Sequence, residues 1–330
     1  MRAFFRAHPI AETMQFSVVI PCHNAEVTIA QTLRSIAAQT LAPHEIIVVD
    51  DASTDDSHAQ IAASGVDVKL IEADVHDSGT ARNLGIARAS GDWVALCDAD
   101  DVWFPHHLEQ AAQVLTGGED VAYMANHCFL LAGEEKPIPD SMRHPIEHSG
   151  GGRDGVEWID LLAEGLHFGH STVIYRRDLL DRIGGFDETF QRQEDLDLWL
   201  RAINSGTWGY GARQAMAYRV DTPGSQTKAV IKSAYFNMRA LCENRHLFPS
   251  TAMSGLINNS TRRALSLAFV DGTPADFRAA WQIARPYISP QLRAFYRVAN
   301  LIRPLARGAI RLKRRWVWRG QPGVGTRRYE

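Results

Sequence analysis

Four apolar, strand-length runs separated by helix-length segments open this chain, and that alternation limits its fold more than any other feature. The runs are Phe16–Pro21, Glu45–Asp50, Val66–Glu72 and Trp93–Cys97. Between the first two, Ala25–Gln39 carries Ile29, Leu33 and Ile36 at helical spacing, with Asn24 as the expected N-cap. Ser57–Ser64 and Gly79–Ala89 supply the next helices, the second ended by Ser90-Gly91. A βαβαβαβ order predicts an α/β fold with a mainly parallel sheet and helices on both faces. Such sheets bind ligands beyond the carboxyl ends of their strands. Those ends carry Pro21-Cys22-His23-Asn24, Asp50-Asp51 and Asp98-Ala99-Asp100.

The fourth run stops abruptly at Asp98, Asp100 and Asp101. Carboxylates this close do not all stay ionised without a counter-charge. A divalent cation supplies one, and hard oxygen ligands favour Mn²⁺ or Mg²⁺ over zinc. Such ions bind a substrate's phosphates, which points to phosphate-containing chemistry. The plain structural reading is an acidic loop in which Asp101 caps a helix. The chain has no G-x-G-x-x-G and no G-x-x-x-x-G-K-[ST], which argues against a dinucleotide dehydrogenase and a P-loop NTPase.

The 330 residues are 45% hydrophobic with net charge −3, so there is enough apolar material for a core and no overall basic bias toward nucleic acid. Cys22, Cys97, Cys128 and Cys242 lack C-x-x-C spacing, which favours reduced thiols and a cytoplasmic setting over a zinc or disulfide framework. No apolar run reaches the roughly 18 residues of a membrane helix. Residues 1–14 read as a disordered leader; Arg2 and Arg6 are not followed by the apolar segment of a signal peptide.

Further along, Val121–Leu131 and Ser171–Tyr175 are expected strands, and Glu134–Gly155 a loop. Asp178–Ile183 reads as a helical turn and Asp195–Asn204 as a helix with Leu196, Trp199, Leu200 and Ile203 inward. Met216–Arg219 precedes a polar loop, Asp221–Gln226, and only helical periodicity follows.

Six stretches together resemble the family 2 glycosyltransferases of the GT-A fold. They are Phe16–Asn24, Val48–Asp55, Gly79–Gly85, Asp98–Asp101, Gly184–Glu188 and Glu194–Arg201, in family order and spacing. The resemblance covers about Gln15 to Gln226. It implies a nucleotide-diphospho-sugar transferase domain at 15–226, with a nucleotide-binding half at 15–115 and an acceptor-binding half at 116–226. A helical C-terminal region at 227–330 ends in a basic amphipathic tail.

By that resemblance Pro21, His23 and Glu26 border the base and ribose, and Asp51 accepts a base N–H. Arg82 faces the nucleotide or its diphosphate, Asp98 and Ala99 line the ribose, and Asp100 with Asp98 holds Mn²⁺ or Mg²⁺, with Asp101 behind. Glu194-Asp195 resembles the acceptor-side acidic pair. Transfer from a nucleoside diphosphate needs one base to take the acceptor's proton. Asp195 is the candidate, with Glu194 orienting the acceptor or substituting, and Asp197 sharing Glu194's helix face. His167 and His170 are further acceptor-side candidates. Asp221 stands where many relatives place a histidine near the diphosphate, which puts that loop's role in question.

The resulting expectation is an inverting, metal-dependent transferase that moves a sugar from a UDP- or dTDP-sugar to a glycan or lipid-linked acceptor. The alternative is a non-catalytic sugar-nucleotide-binding protein of the same fold; retention of Asp100 and Asp195 argues against it. A nucleotidyltransferase would need a Gly-rich basic loop at Cys22–Thr28, which is absent. From Arg297 to Arg328 arginines and Lys313 interleave with Leu301, Ile302, Leu305, Ile310, Trp316 and Trp318. That pattern suits peripheral attachment to an anionic membrane surface.

Overall fold

The computed structural model describes residues 14–118, 120–137, 146, 148–166, 169–220 and 230–301. The chain divides into two compact units, Met1–Gly224 and Ser225–Glu330. The leader up to residue 13, His167, Asp221 and the basic tail from residue 302 lie outside the described residues.

In the first unit β1 (Phe16–Cys22), β2 (Glu45–Asp51), β3 (Lys69–Ala73) and β4 (Trp93–Leu96) pair in parallel, in the order β3-β2-β1-β4. Val18 lies opposite Ile46 on one side and Ala95 on the other. The side-chain period of two then sorts the faces. Phe16, Val18 and Ile20 pack in one core cluster with Ile29, Leu33 and Ile36 of α1 (Ile29–Ala37). On the opposite face α3 (Ser78–Ile86) lies so close that a Cβ on Gly85 would sit 2.4 Å from Val19 Cγ1. Only glycine permits this approach. α2 (Ser57–Ala63) completes the expected order.

Beyond β4 the sheet becomes mixed. Among the described residues it continues through β9 (Ile174–Arg176), β6 (Ala122–Leu131), β10 (Trp208–Arg219) and β5 (Val102–Trp103). β9 is antiparallel to both β4 and β6, whereas β6 and β10 are parallel. α4 (His107–Leu115), α5 (Gly155–Ala163), α6 (Arg177–Ile183) and α7 (Glu194–Ile203) complete this half.

Several local expectations are corrected. Asn24 is not an N-cap. It takes a left-handed conformation (φ 51°), which asparagine tolerates, and its Oδ1 accepts from Thr54 N at 2.8 Å. The helix starts later, with Thr28 at the cap position. Asp101 caps nothing; the pair after it forms β5 against β10. The strand expected from Ser171 begins as a 3₁₀ turn, His170–Thr172. Glu134–Gly155 contains β7 (Glu134–Lys136) and β8 (Gly150–Arg153), which pair with β6 and β10. β10 extends far upstream of Met216, because Gly209 and Gly211 interrupt the apolar alternation that would reveal it. Its register shifts between Gly211 and Met216.

The second unit is helical, as its periodicity predicts: α8 (Val230–Glu243), α9 (Thr251–Val270), α10 (Pro274–Ala284) and α11 (Pro290–Leu301). Ser250 caps α9, and Thr273 with Asp276 forms a reciprocal capping box around Pro274. Among the described residues no helix is long and apolar enough to cross a membrane.

Candidate active site

The parallel crossovers bring the ends of β1, β2 and β4 to one edge, where the expected donor-side residues gather. Asp51 is buried and accepts three backbone N–H groups: Val75 (2.7 Å) and His76 (2.9 Å) on Oδ1, and Asp77 (2.9 Å) on Oδ2. It fixes the turn that leads into α3. A carboxylate has about four lone-pair directions, and these bonds take three of them. Asp50 accepts from Ser53 Oγ (2.5 Å) and pairs with His58 Nε2 (2.9 Å). His23 Nδ1 donates to the Asp51 carbonyl (2.5 Å), and its ring meets His76 edge-on at 6.3 Å. Glu26 and the 55–56 turn exchange two bonds of 3.0 Å, from Glu26 N to Asp55 Oδ2 and from Asp56 N to Glu26 Oε2. Pro21 is half-buried beside them, and Ala99 is buried, its carbonyl accepting from Thr32 Oγ1 (3.0 Å).

At the end of β4 the three acids have different fates. Asp101 is fully buried and accepts from Ser171 Oγ (2.6 Å) and Arg219 N (3.1 Å). Burial, then the charges of Asp100 and Asp98, push its carboxyl well above the usual range. Asp98 Oδ1 accepts from Arg82 Nη2 (2.6 Å); burial opposes the carboxyl's charge, but the guanidinium prevails and holds it below its ordinary range. The Asp100 carbonyl accepts from Arg219 Nε (2.9 Å). Among the described residues no group of three or more His, Cys, Asp or Glu side chains is arranged to hold a metal ion. Mn²⁺ and Mg²⁺ commonly take one or two carboxylates and complete their shell with phosphates and water. Asp98 and Asp100 are two carboxylates of the type such an ion takes, two residues apart just past the end of β4.

Arg82 does not lie open on the donor side. It is 5% exposed and bridges two carboxylates: Nη2 to Asp98, and Nη1 to Glu194 Oε1 at 2.9 Å. Its guanidinium also lies over the Phe186 ring, 5.4 Å from the centroid. The next residue, Asn83, brackets Phe186 with two 2.9 Å bonds to its N–H and carbonyl. Gly185 (φ 64°) is confined there, since a Cβ would come within 2.6 Å of Asn83 Oδ1. The Gly184–Glu188 stretch is therefore held to the same helix as the ion pairs.

Glu194 and Asp195 begin α7 and differ sharply. Burial disfavours the Glu194 charge, but Arg82 and a 2.7 Å bond from Ser78 Oγ outweigh it, so its carboxyl is held below its ordinary range. Asp195 is half-buried; desolvation first, and the Glu194 charge second, push it up to about 7. Asp197, the other acid on this turn, pairs with Arg201 (Nε 2.9 Å), whose remaining nitrogens bond the carbonyls of Ile183 and Gly185. It is part of the scaffold. His170 is buried and edge-on to Phe186 at 5.7 Å; burial and the Arg82 charge lower it to about 4, leaving a neutral ring.

Sequence reasoning missed Ser78, Ser171 and Arg219. Ser78 had a usable signal: it precedes Arg82 by one helical turn. Ser171 and Arg219 had none, because their partners lie 70 and 118 residues away.

Comparison with known proteins identifies the family and the fold. The profile of glycosyl transferase family 2 matches residues 17–184. The glycosyltransferase YwdF of Bacillus subtilis is 30% identical over 190 residues, covering 57% of this chain and 68% of that protein. The Escherichia coli UDP-Glc:α-D-GlcNAc-diphosphoundecaprenol β-1,3-glucosyltransferase WfgD is 28% identical over 189 residues, covering 57% of this chain and 69% of WfgD. In three dimensions the crystal structure of S. aureus TarS 1-349 in complex with UDP-GlcNAc superposes with a TM-score of 0.65 at 19% identity, covering 88% of this chain and 86% of that fragment. The parallel half-sheet, the acids at its edge and the matching profile together place this chain in glycosyl transferase family 2, as a glycosyltransferase of the GT-A fold.

Proposed function

We propose that this protein is an inverting, metal-dependent transferase that moves a sugar from a UDP-sugar, or a dTDP-sugar, to a hydroxyl of a glycan or lipid-linked acceptor. The observation that carries the reading is Asp195, whose carboxyl sits at about 7 beside a Glu194 pinned as an anion. A general base works best with a pKa near the operating pH. The acceptor oxygen attacks the anomeric carbon as the bond from that carbon to the diphosphate oxygen breaks. The acceptor proton goes to Asp195, and the nucleoside diphosphate leaves with the bonding electron pair. One displacement with no covalent sugar–protein intermediate inverts the anomeric centre.

On the donor side Asp51 keeps one acceptor direction for a base N–H, beside Pro21, His23 and Glu26, with Ala99 and Asp98 at the ribose. Asp98 and Asp100 would hold Mn²⁺ or Mg²⁺, which when bound neutralises the charge developing on the leaving diphosphate. The UDP-linked sugars in the WfgD and TarS descriptions support a uridine donor, and WfgD's diphosphoundecaprenol acceptor supports a lipid-linked one. A basic, tryptophan-bearing tail is suited to bringing the enzyme to such an acceptor at an anionic cytoplasmic surface.

The test is Asp195→Asn, assayed with UDP-Glc and UDP-GlcNAc and a short-chain GlcNAc-diphosphate lipid as acceptor. Turnover is expected to fall about a hundredfold or more with donor affinity unchanged. If turnover survives in Asp195→Asn and is lost in Glu194→Gln, Asp195 is not the base.

A further inference from the structure

Glu194 is held in an unusual way. Two donors from one helix converge on a single oxygen: Ser78 Oγ at 2.7 Å and Arg82 Nη1 at 2.9 Å both meet Oε1. Ser78 and Arg82 stand four residues apart on α3, so they present side by side on one helix face. Oε2 receives no hydrogen bond from another residue among the described ones. The side-chain donors thus all meet one corner of the carboxylate, which its own backbone N–H also bonds.

The helix that anchors it is itself fixed to the donor side. Asp77, the N-cap of α3, caps Thr80 N through Oδ1 (2.8 Å) and donates its own N–H to Asp51 Oδ2 (2.9 Å). The path from Asp51 through Asp77 to Ser78 and Glu194 needs one backbone step and two hydrogen bonds. Arg82 shares its charge between Glu194 and Asp98, so its hold on Glu194 depends on what occupies the Asp98 side. Ser78 makes no such division. Among the described residues its other role is to open the helix.

We propose that Ser78 is a positioning residue of the acceptor site: with Arg82 it clamps Oε1 of Glu194 and leaves Oε2 to orient the acceptor hydroxyl toward Asp195. This rests on the reading of Glu194-Asp195 as the acceptor-side pair. The titratable and charged groups facing Glu194 are Arg82 on α3, Asp195 on its own helix and the neutral His170 ahead of β9. None of them replaces a lost hydroxyl at Ser78.

The test uses the full chain and four variants. In the unliganded protein, ¹³C-carboxyl NMR with Glu194 assigned by Glu194→Gln gives its titration midpoint. Ser78→Ala is expected to move that midpoint up and Ser78→Thr to restore it. An unchanged midpoint in Ser78→Ala overturns the clamp without any substrate. In turnover assays with UDP-GlcNAc, UDP-Glc and the short-chain GlcNAc-diphosphate lipid, Ser78→Ala should raise the acceptor KM about tenfold, leave the donor KM unchanged, and be rescued by Ser78→Thr. A change in donor KM alone, or failure of threonine to rescue, also overturns it. Loss of activity in Asp195→Asn with wild-type behaviour in Ser78→Ala sinks this proposal and leaves the base assignment standing. Full activity in Asp195→Asn sinks the base assignment whatever Ser78 does.

Discussion

Two contacts of the same length stand at opposite ends of the site. His58 meets Asp50 at 2.9 Å on the donor rim, and Arg82 meets Glu194 at 2.9 Å beside the acceptor acids. The His58 side chain is 44% exposed over a buried Asp50, whereas in the second contact both side chains are buried, Arg82 at 7% and Glu194 at 10%. Water competes for the first contact and not for the second. The donor rim ties acids to nearby turns, as Asp51 does with residues 75–77. The acceptor side ties acids to side chains more than a hundred residues away. Separation alone is not what matters. In the buried bridge no solvent repairs a lost partner, so each charge fixes the state of its neighbour.

The largest expected effect breaks that bridge. Arg82→Met strands Asp98 and Glu194, and denaturant unfolding should show a loss of about 3–5 kcal/mol. His58→Ala should cost under about 1 kcal/mol in the same assay, because an exposed imidazole contributes little and Asp50 keeps its bond from Ser53 Oγ. Comparable losses would erase the distinction between the two regions.

A ligand-binding experiment sharpens the donor side. Asp100→Asn should remove most of the Mn²⁺-dependent binding of UDP measured by calorimetry, and EDTA should do the same to the wild type. UDP binding that is indifferent to EDTA would leave Asp98 and Asp100 without a metal to hold.

The smallest effect is a shift along the pH axis. Asp195 acts as a base only when ionised, so turnover should rise with pH through about 7. Glu194→Gln removes the neighbouring negative charge, which lowers the Asp195 pKa and moves the acid limb to lower pH. An unmoved limb would mean that Glu194 does not tune Asp195. The sign for stability is opposite to that for activity. The folded state holds the Asp195 proton from the ordinary carboxylate range up to about 7. Its contribution to stability therefore declines as pH rises across that window.

Much of the donor half was legible because its signals are local. Apolar runs of strand length, a helical repeat at Ile29, Leu33 and Ile36, and acids at strand ends need only neighbours in sequence to be read. Asn24 misled for the same reason. The residue type that caps helices also tolerates the left-handed conformation, and its bond to Thr54 N across the site selected the second role. β10 was read short, since its glycines pack against Gln110 and Tyr123, and that neighbourhood exists only in the folded chain.

By itself, then, the sequence determined the βαβαβαβ frame, the edge to which the strand ends run, and the acids gathered there. Hydrophobic period and chain connectivity are enough to dictate these. Only the tertiary structure decided which acid keeps a charge. Arg82 and Ser78 hold Glu194 ionised, burial beside Glu194 leaves Asp195 poised near 7, and Arg201 withdraws Asp197 into the scaffold. Three acids within four residues look alike in sequence. Their proton affinities are set by desolvation and by cations brought near through folding, and neither exists until the chain closes on itself.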